Sequence, residues 1–447
     1  MKRFTSFLVV MFVFAAATFA QSVQVSGQGF DRTRLDQYFD ALETNDKFMG
    51  SVAVSRNGEL IYTRSLGYAD LAQQQKAETS TKYRIGSISK TFTAVLVIKA
   101  IEEGKLDFNQ TLDYYFPTIK NADRITIEHM LYHRSGIHSF TDDPDYLTWN
   151  TQAKSEEEMV ARIAASDSDF EPDSRSAYSN SNYVLLTYIL EKSFQRPYAE
   201  LVKSLIADKI GLKDTYLGRK INSADREAQS YQYTGKWDLS PETHPSVPLG
   251  AGAMVSTPSD LVRFSDALFA GKLISQESLK RMQTIKGGFG LGLIQIPFYE
   301  HVGLGHTGGI DGFSSVFAHF ENGNISYALT SNGTNFSNND ISIAVLSALF
   351  GKSFEIPEFA QIDIPLEDLE SYVGTYASNM IPLKITVTTE NGKLFAQATG
   401  QPAFPLEPSA KHQFKFAVAG VVIDFIPAEH ALILKQGGGQ IKFTKEQ

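Results

Sequence analysis

The segment from Ile88 to Glu103 constrains the fold more than any other part of the chain. Its apolar residues at Phe92, Val95, Leu96, Ile98 and Ala100 leave almost no polar face. A helix that is apolar all round must be enclosed by other elements, so the pattern predicts a helix buried in the middle of a domain and ended by Gly104. With 447 residues, at about 100–200 per domain, the chain has material for two to four domains and can supply that enclosure.

The flanking sequence indicates what surrounds the helix. From Gly50 to Leu66, Ser-Val-Ala-Val-Ser and Leu60-Ile-Tyr-Thr flank Asn57-Gly58, a pair that tolerates the positive φ of a type I′ turn and so predicts a β-hairpin. Helices are predicted near 126–133, 156–165, 181–195, 197–209 and 258–270, the last with Thr257 as N-cap and Pro258 at its first position. Strand signals return at Leu291 to Ile296, Ser314 to Phe320 and Ile325 to Ser331, the last two joined by a turn at Glu321-Asn-Gly-Asn, and a helix near Ile341 to Phe350 closes the run. Strands, helices, strands and helix predict one α/β domain. Pro357 and Pro365 in an acidic stretch mark a linker. Behind it, short alternating strands with turns such as Asn391-Gly392 and Gly437-Gly-Gly predict an antiparallel sheet or small barrel.

Composition removes several function classes. There is no cysteine, which excludes disulfides, thiolate metal sites and a cysteine nucleophile. With 41 Lys+Arg against 50 Asp+Glu the net charge is −9, so no chain-wide attraction to phosphate backbones exists and nucleic acid is not expected as a partner. Lys2 and Arg3, the apolar run from Phe7 to Ala17 and the small residues Thr18 and Ala20 form the pattern of a secretory signal cleaved after Ala20, predicting a periplasmic or secreted product. That run is too short to span a bilayer and no later segment matches it, so no integral membrane span is expected after cleavage. His129 and His133 are four apart, but His-Glu-x-x-His is absent and no third ligand is evident, so no metal is expected. Asp142, Asp143, Asp167 and Asp169 lie in polar loops and read as solvated.

Three short motifs carry chemistry. Ser87 is the only serine with a lysine three positions later, and Ser87-Ile-Ser-Lys90 opens the buried helix. Residues i and i+3 share a helix face, so Lys90 can reach the Ser87 hydroxyl, and apolar surroundings make the amine a better base. Backbone N–H groups at the helix start can stabilise an oxyanion. Among 19 tyrosines only Tyr178 has asparagine two positions on, in Tyr178-Ser-Asn180 on a predicted loop; the phenol can exchange protons with a leaving group, and Asn180 can orient a carbonyl or hold the lysine. In His306-Thr307-Gly308-Gly309, glycines permit close backbone approach, an edge strand can hydrogen-bond an extended acyl or peptide substrate, and the Gly309 N–H offers a second oxyanion donor, so blocking the approach at Gly309 should be felt. Taken singly, Ser-x-x-Lys reads first as a helix cap with a surface lysine and Tyr-x-Asn as a core tyrosine with a capping asparagine, while a tight turn explains the glycines about as well as a ligand does.

Ser-x-x-Lys, Tyr-x-Asn and His-Thr-Gly in this order resemble the penicillin-recognising serine hydrolases, and the Tyr-Ser-Asn form resembles the class C β-lactamase group with its D-alanyl-D-alanine carboxypeptidases, D-amino-acid peptidases and esterases. Leu131-Tyr-His133-Arg-Ser135-Gly136-Ile137 and Gly250-Ala-Gly252-Ala-Met-Val-Ser256-Thr-Pro-Ser-Asp260-Leu look like two further signatures of the group. The resemblance implies an antiparallel sheet flanked by helices with an all-helical subdomain, over roughly 28–355, followed by a linker at 356–365 and a small all-β barrel at 366–447. It implies acylation of Ser87, proton transfers shared by Lys90 and Tyr178, and an acyl site lined by Asn180, His306, Thr307 and Gly309, without cofactor. Expected substrates are small molecules or peptides: D-amino-acid peptides, esters or β-lactams; the alternative is a catalytically silent protein that holds a cell-wall fragment or peptide in the same cleft. Oligomeric state is open. The β-lactamases of the group carry lysine where this chain has His306, and a histidine, mostly neutral at pH 7, holds a substrate carboxylate less firmly.

Overall fold

The computed structural model describes residues 30–359, 364–390 and 392–446. The signal segment 1–20, the start of the hydrolase region at 28, part of the linker (360–363) and Asn391 lie outside them. The chain forms two compact units. One holds Phe48–Gln232 and Trp237–Gly333; the other holds the described residues up to Lys47, Tyr233–Lys236 and those from Thr334 onward.

The first unit is built on a six-stranded sheet. Its strands are β1 (Phe48–Arg56), β2 (Glu59–Leu66), β3 (Ile294–Phe298), β4 (His301–Ile310), β5 (Phe313–Phe320) and β6 (Ile325–Thr334), in the order β3-β4-β5-β6-β1-β2. Asn57 (φ 56°) and Gly58 (φ 79°) make the predicted turn between β1 and β2. Helices α1 (Ser89–Glu102), α2 (Asn180–Phe194) and α3 (Pro258–Phe269) carry the core beside it. Every residue of α1 from Ser89 to Ile98 is buried, as a helix with no polar face requires. Phe92 stacks on Phe264 of α3 with ring centroids 3.9 Å apart, and Phe264 meets Phe317 of β5 edge-on at 6.2 Å, so α3 lies between α1 and the sheet. The Thr257 side chain accepts from the Asp260 N–H at the start of α3, with Pro258 in the first turn.

Several local expectations shift. The 197–209 region divides into helical turns at Tyr198–Leu201 and Asp208–Ile210 around a wider turn at Val202–Ala207. The strand expected from Leu291 starts at Ile294, because residues 291–293 spend backbone groups elsewhere: the Leu291 N–H donates to the Met282 carbonyl at 3.0 Å, the Gly292 carbonyl accepts from the Thr91 hydroxyl at 2.7 Å and the Leu293 carbonyl accepts from the Gly290 N–H at 2.8 Å. A helix at Gln276–Gln283, capped by Ser275, had no prediction.

In the second unit, helix Arg32–Thr44 buries Leu35, Tyr38, Phe39 and Leu42, a helical stripe the sequence reading overlooked. The choice between sheet and barrel is decided for a barrel. After a short helix at Leu366–Tyr372, eight strands from Gly374–Ala377 to Gly439–Lys445 follow one another antiparallel, and Tyr376 pairs with Lys445 to close the ring. Eight strands enclose just enough room for side chains, and Tyr372, Phe414, Phe425 and Phe443 occupy it. Among the described residues no helix is long and apolar enough to cross a membrane.

Candidate active site

The nucleophile candidate sits at a change of helix type. Gly86–Ile88 form a 3-10 turn that runs into α1 at Ser89, so Ser87 lies two residues before the start of the regular helix and is not its N-cap. Ser89 fixes this junction, donating to the Gly86 carbonyl at 2.6 Å and accepting from the Met254 N–H at 3.0 Å. Ser87 stays partly exposed while Lys90, one turn on, is fully buried.

The lysine does not snorkel to the surface. Its Nζ lies 3.1 Å from Ser87 Oγ, 2.8 Å from Asn180 Oδ1 and 2.7 Å from the Ala251 carbonyl oxygen. Burial pushes its pKa well below the ordinary lysine value, because desolvation penalises the ammonium. As the ammonium, Nζ donates to all three oxygens. As the free amine it can donate to the two carbonyl oxygens, which cannot donate back, and turn its lone pair to the one partner that can, the Ser87 hydroxyl. This donor arithmetic leaves the lone pair of a neutral Lys90 free to face the Ser87 hydroxyl.

The second motif reaches the same point from the start of α2. Asn180 holds Lys90 and is itself held: its N–H donates to Ser139 Oγ at 3.1 Å and its Nδ2 to Thr141 Oγ1 at 2.9 Å. The Tyr178 phenol lies beside Ser87, which opposes the upward push of burial on its pKa, and the Lys90 Nζ lies 4.8 Å from the phenol ring centroid. Burial raises the Tyr178 pKa, so the phenol keeps its proton at neutral pH and suits a relay rather than a standing phenolate. His133 stacks against Tyr178 at 4.5 Å and accepts the Ser179 N–H at Nδ1 over 3.1 Å. His133 reaches the turn at Ser135 through Asn182, which lies between its ring and Ser135 Oγ.

The third motif lies on β4. That strand is not an edge along its whole length: β3 pairs with it only as far as Gly305, while β5 pairs from Leu304 to Ile310. One side of residues 306–310 is therefore left without a strand partner by β3. His306 is buried, and its Nδ1–H donates to the Thr307 carbonyl at 2.6 Å. Burial first, and the nearby Lys90 charge second, lower its pKa to about 4, so it is neutral at pH 7. Thr307 and Gly309 are exposed on the same strand.

The protein's own packing requires glycine at neighbouring positions. A Cβ on Gly309 would meet nothing nearer than the Phe313 carbonyl oxygen at 4.0 Å, so the protein itself has room there. A Cβ on Gly308 would lie 2.1 Å from the Ile85 carbonyl oxygen, and one on Gly86 would lie 2.7 Å from the Gly309 nitrogen. These two glycines let β4 approach the Ser87 turn. Ala251 was also not singled out as a site residue, although its Gly-Ala-Gly setting was noted. Gly250 is the tell-tale position, since a Cβ there would press on Thr187 and Thr93 hydroxyls at 2.4 and 2.5 Å.

The loop acids are not simply solvated. His138 hydrogen-bonds Asp169 at 2.9 Å and lies 3.4 Å from Asp143, whereas Asp167 is exposed and pairs with Lys120. His129 belongs to the cap of a short helix at Ile127–Leu131.

A serine, buried lysine, tyrosine and glycine-bearing strand in this arrangement agree with a family-level match: the model described as Beta-lactamase matches residues 35–350. The chain belongs to the beta-lactamase family. It is a beta-lactamase-like serine hydrolase. Penicillin-binding protein 4* of Bacillus subtilis (strain 168) is 28% identical over 453 residues, covering 92% of this chain and 97% of that one. Teichoic acid D-alanine hydrolase of Staphylococcus aureus (strain MRSA252) is 28% identical over 245 residues, covering 54% of this chain and 56% of that relative's length. Among solved structures, the D-amino acid amidase of Ochrobactrum anthropi SV3 complexed with D-phenylalanine aligns with TM-score 0.64 and 25% identity over 71% of this chain and 99% of that one. The family's beta-lactamase-like fold accounts for the sheet and helices, and the closed barrel follows it in the chain.

Proposed function

We propose that this beta-lactamase family member hydrolyses an ester or amide of a D-amino acid through an acyl-enzyme on Ser87, as a peptidase or esterase related to D-alanyl-D-alanine carboxypeptidases. The carrying observation is the set of three oxygens around Lys90 Nζ, one of them Ser87 Oγ. The Lys90 amine takes the Ser87 proton as Oγ bonds to the acyl carbon, and the carbonyl oxygen becomes an oxyanion received by the Ser87 and Gly309 N–H groups. On collapse the bond to the leaving group breaks. Tyr178 gives that group its phenol proton and is reprotonated from Lys90. Water then attacks the ester by the reverse route and frees the acid and Ser87.

Neutral His306 favours this substrate class over one gripped by a carboxylate, which a lysine at that position would hold. Names of two relatives, a D-amino acid amidase and a teichoic acid D-alanine hydrolase, support a D-aminoacyl donor. Export is part of the proposal, supported by Lys2, Arg3 and the apolar run ending in Thr18-Phe-Ala20. So is the division into a hydrolase region at 28–355, a linker and an appended module at 366–447.

The test is intact mass after exposure to a fluorophosphonate probe, with Ser87→Ala alongside. A single adduct, lost in the variant, is expected. No adduct on the folded parent would overturn the reading in favour of a silent binding protein.

A further inference from the structure

The strand that bears Gly309 ends in a carboxylate. Asp311 follows Ile310 in the tight turn between β4 and β5, with φ 53°. It stands two residues beyond Gly309, a rise of about 7 Å along a strand. Its side chain is fixed rather than loose. Oδ1 accepts from Thr243 Oγ1 at 2.6 Å and from the Thr243 N–H at 3.1 Å, and Oδ2 lies 3.2 Å from the same N–H. Thr243 is tied in turn to the Ser87 neighbourhood, since its carbonyl accepts from Arg84 at 2.8 Å. Across the group, Asn150 Nδ2 donates to Thr243 Oγ1 at 2.9 Å, and the Tyr146 phenol lies beside Thr243 and Asn150 within range of the Asp311 charge. Asn150 and Tyr146 belong to the same loop as Thr141, which holds Asn180.

The carboxylate is thus braced between the end of the third-motif strand and the loop that supports the second. A carboxylate offers about four acceptor sites, and Thr243 accounts for three contacts, two of them shared by a single N–H. Oδ2 has no stronger partner than that shared N–H. Asp311 is partly exposed, and burial raises its pKa although Thr243 and Arg84 oppose the shift. A desolvated anion of this kind gains most from a cation that arrives with the ligand. Arg84 cannot fill that place, being committed to Glu242 and to the Thr243 and Arg219 carbonyls.

We infer that Asp311 determines specificity by receiving the free α-ammonium group of the aminoacyl substrate. The inference rests on the proposed D-aminoacyl hydrolase reading and deepens it. An acyl carbonyl seated between the Ser87 and Gly309 N–H groups places its α-substituents beside β4, and an ammonium directed along the strand meets the Asp311 carboxylate. An N-acylated substrate presents a neutral amide there and gains nothing from the charge.

The test compares D-alanine methyl ester with N-acetyl-D-alanine methyl ester, by acid release, in the parent, Asp311→Asn and Asp311→Glu. Asparagine keeps an oxygen for the Thr243 donors and removes only the charge. The expected result is a parent preference for the free amine that falls at least about tenfold in kcat/KM ratio in Asp311→Asn, the scale of one charge-assisted hydrogen bond, and is kept in larger part by Asp311→Glu. If Asp311→Asn slows both esters equally, the residue only braces the loop and the inference is overturned. A parent that prefers the acetylated ester also overturns it while leaving the hydrolase reading intact. A parent inert to both esters overturns the two together.

Discussion

Replacing Gly308 by alanine should separate close packing of β4 from the chemistry beside it. The added methyl would lie 2.1 Å from the Ile85 carbonyl oxygen and 2.5 Å from Ser315 Oγ. The serine hydroxyl could swing aside, but it donates to that same Ile85 carbonyl at 2.8 Å, and the carbonyl is main chain. To reach an ordinary contact of a little over 3 Å, the strand must retreat from the Ser87 turn by about 1 Å, and a misplacement of that size costs on the order of 100-fold in rate. Full loss of one oxyanion donor costs about 100–1,000-fold, which bounds the effect from above. Overpacking adds about 1–3 kcal/mol of destabilisation. The assay is kcat on an activated D-alanyl ester with a thermal melt on each variant, and Gly309→Ala as control, because its methyl has free space. A fall in kcat of about 100-fold for Gly308→Ala and less than about fivefold for Gly309→Ala is expected. The reasoning is refuted if Gly308→Ala keeps parental kcat and melting temperature, or if the two variants lose activity equally.

Lys90→Met should lower kcat by about 100–10,000-fold, the usual worth of a positioned base, and should abolish the acidic limb of the kcat/KM profile, which in the parent rises with pH through a lysine pKa held below its ordinary value by burial. His306 titrates at about 4 in the folded protein against about 6.5 unfolded, so its contribution to stability is complete above the unfolded value and is lost as pH falls towards 4. The shift corresponds to about 3 kcal/mol; denaturant melts from pH 7 to 4 should show the loss, with buried His133 acting in the same direction, and a flat profile would contradict it. His138 behaves oppositely. Partial burial pulls its pKa down, but Asp169, Asp143 and Asp142 outweigh that and raise it, so its stabilising effect is present at pH 6 and fades as pH rises through the raised value. Melting temperatures of His138→Gln should vary less with pH between 6 and 8 than those of the parent.

Much of this protein is legible one segment at a time. Asn57-Gly58 specifies its hairpin because two adjacent positive φ values are needed, and Thr257-Pro258 starts a helix because one supplies an acceptor and the other lacks a donor. The period of the apolar residues marks α1 as buried, and the spacing of Ser87 and Lys90 puts them on one face. These are local constraints, decided within a few residues. What tertiary structure decided are the properties that depend on distant neighbours. The Lys90 amine is desolvated and oriented because it is fully buried and because Asn180 and Ala251, 90 and 161 residues away in sequence, supply carbonyl oxygens to it. Closure of the barrel rests on Tyr376 meeting Lys445, a pairing that no local pattern encodes. Gly308 has no room for a side chain because the Ile85 carbonyl lies across from it. Asp311, one acid among many in the sequence, acquires its role from Thr243 and from the end of the strand on which it stands. Sequence spacing sets which groups can share a helix face or a turn; only folding sets how dry, how close and how charged their surroundings are.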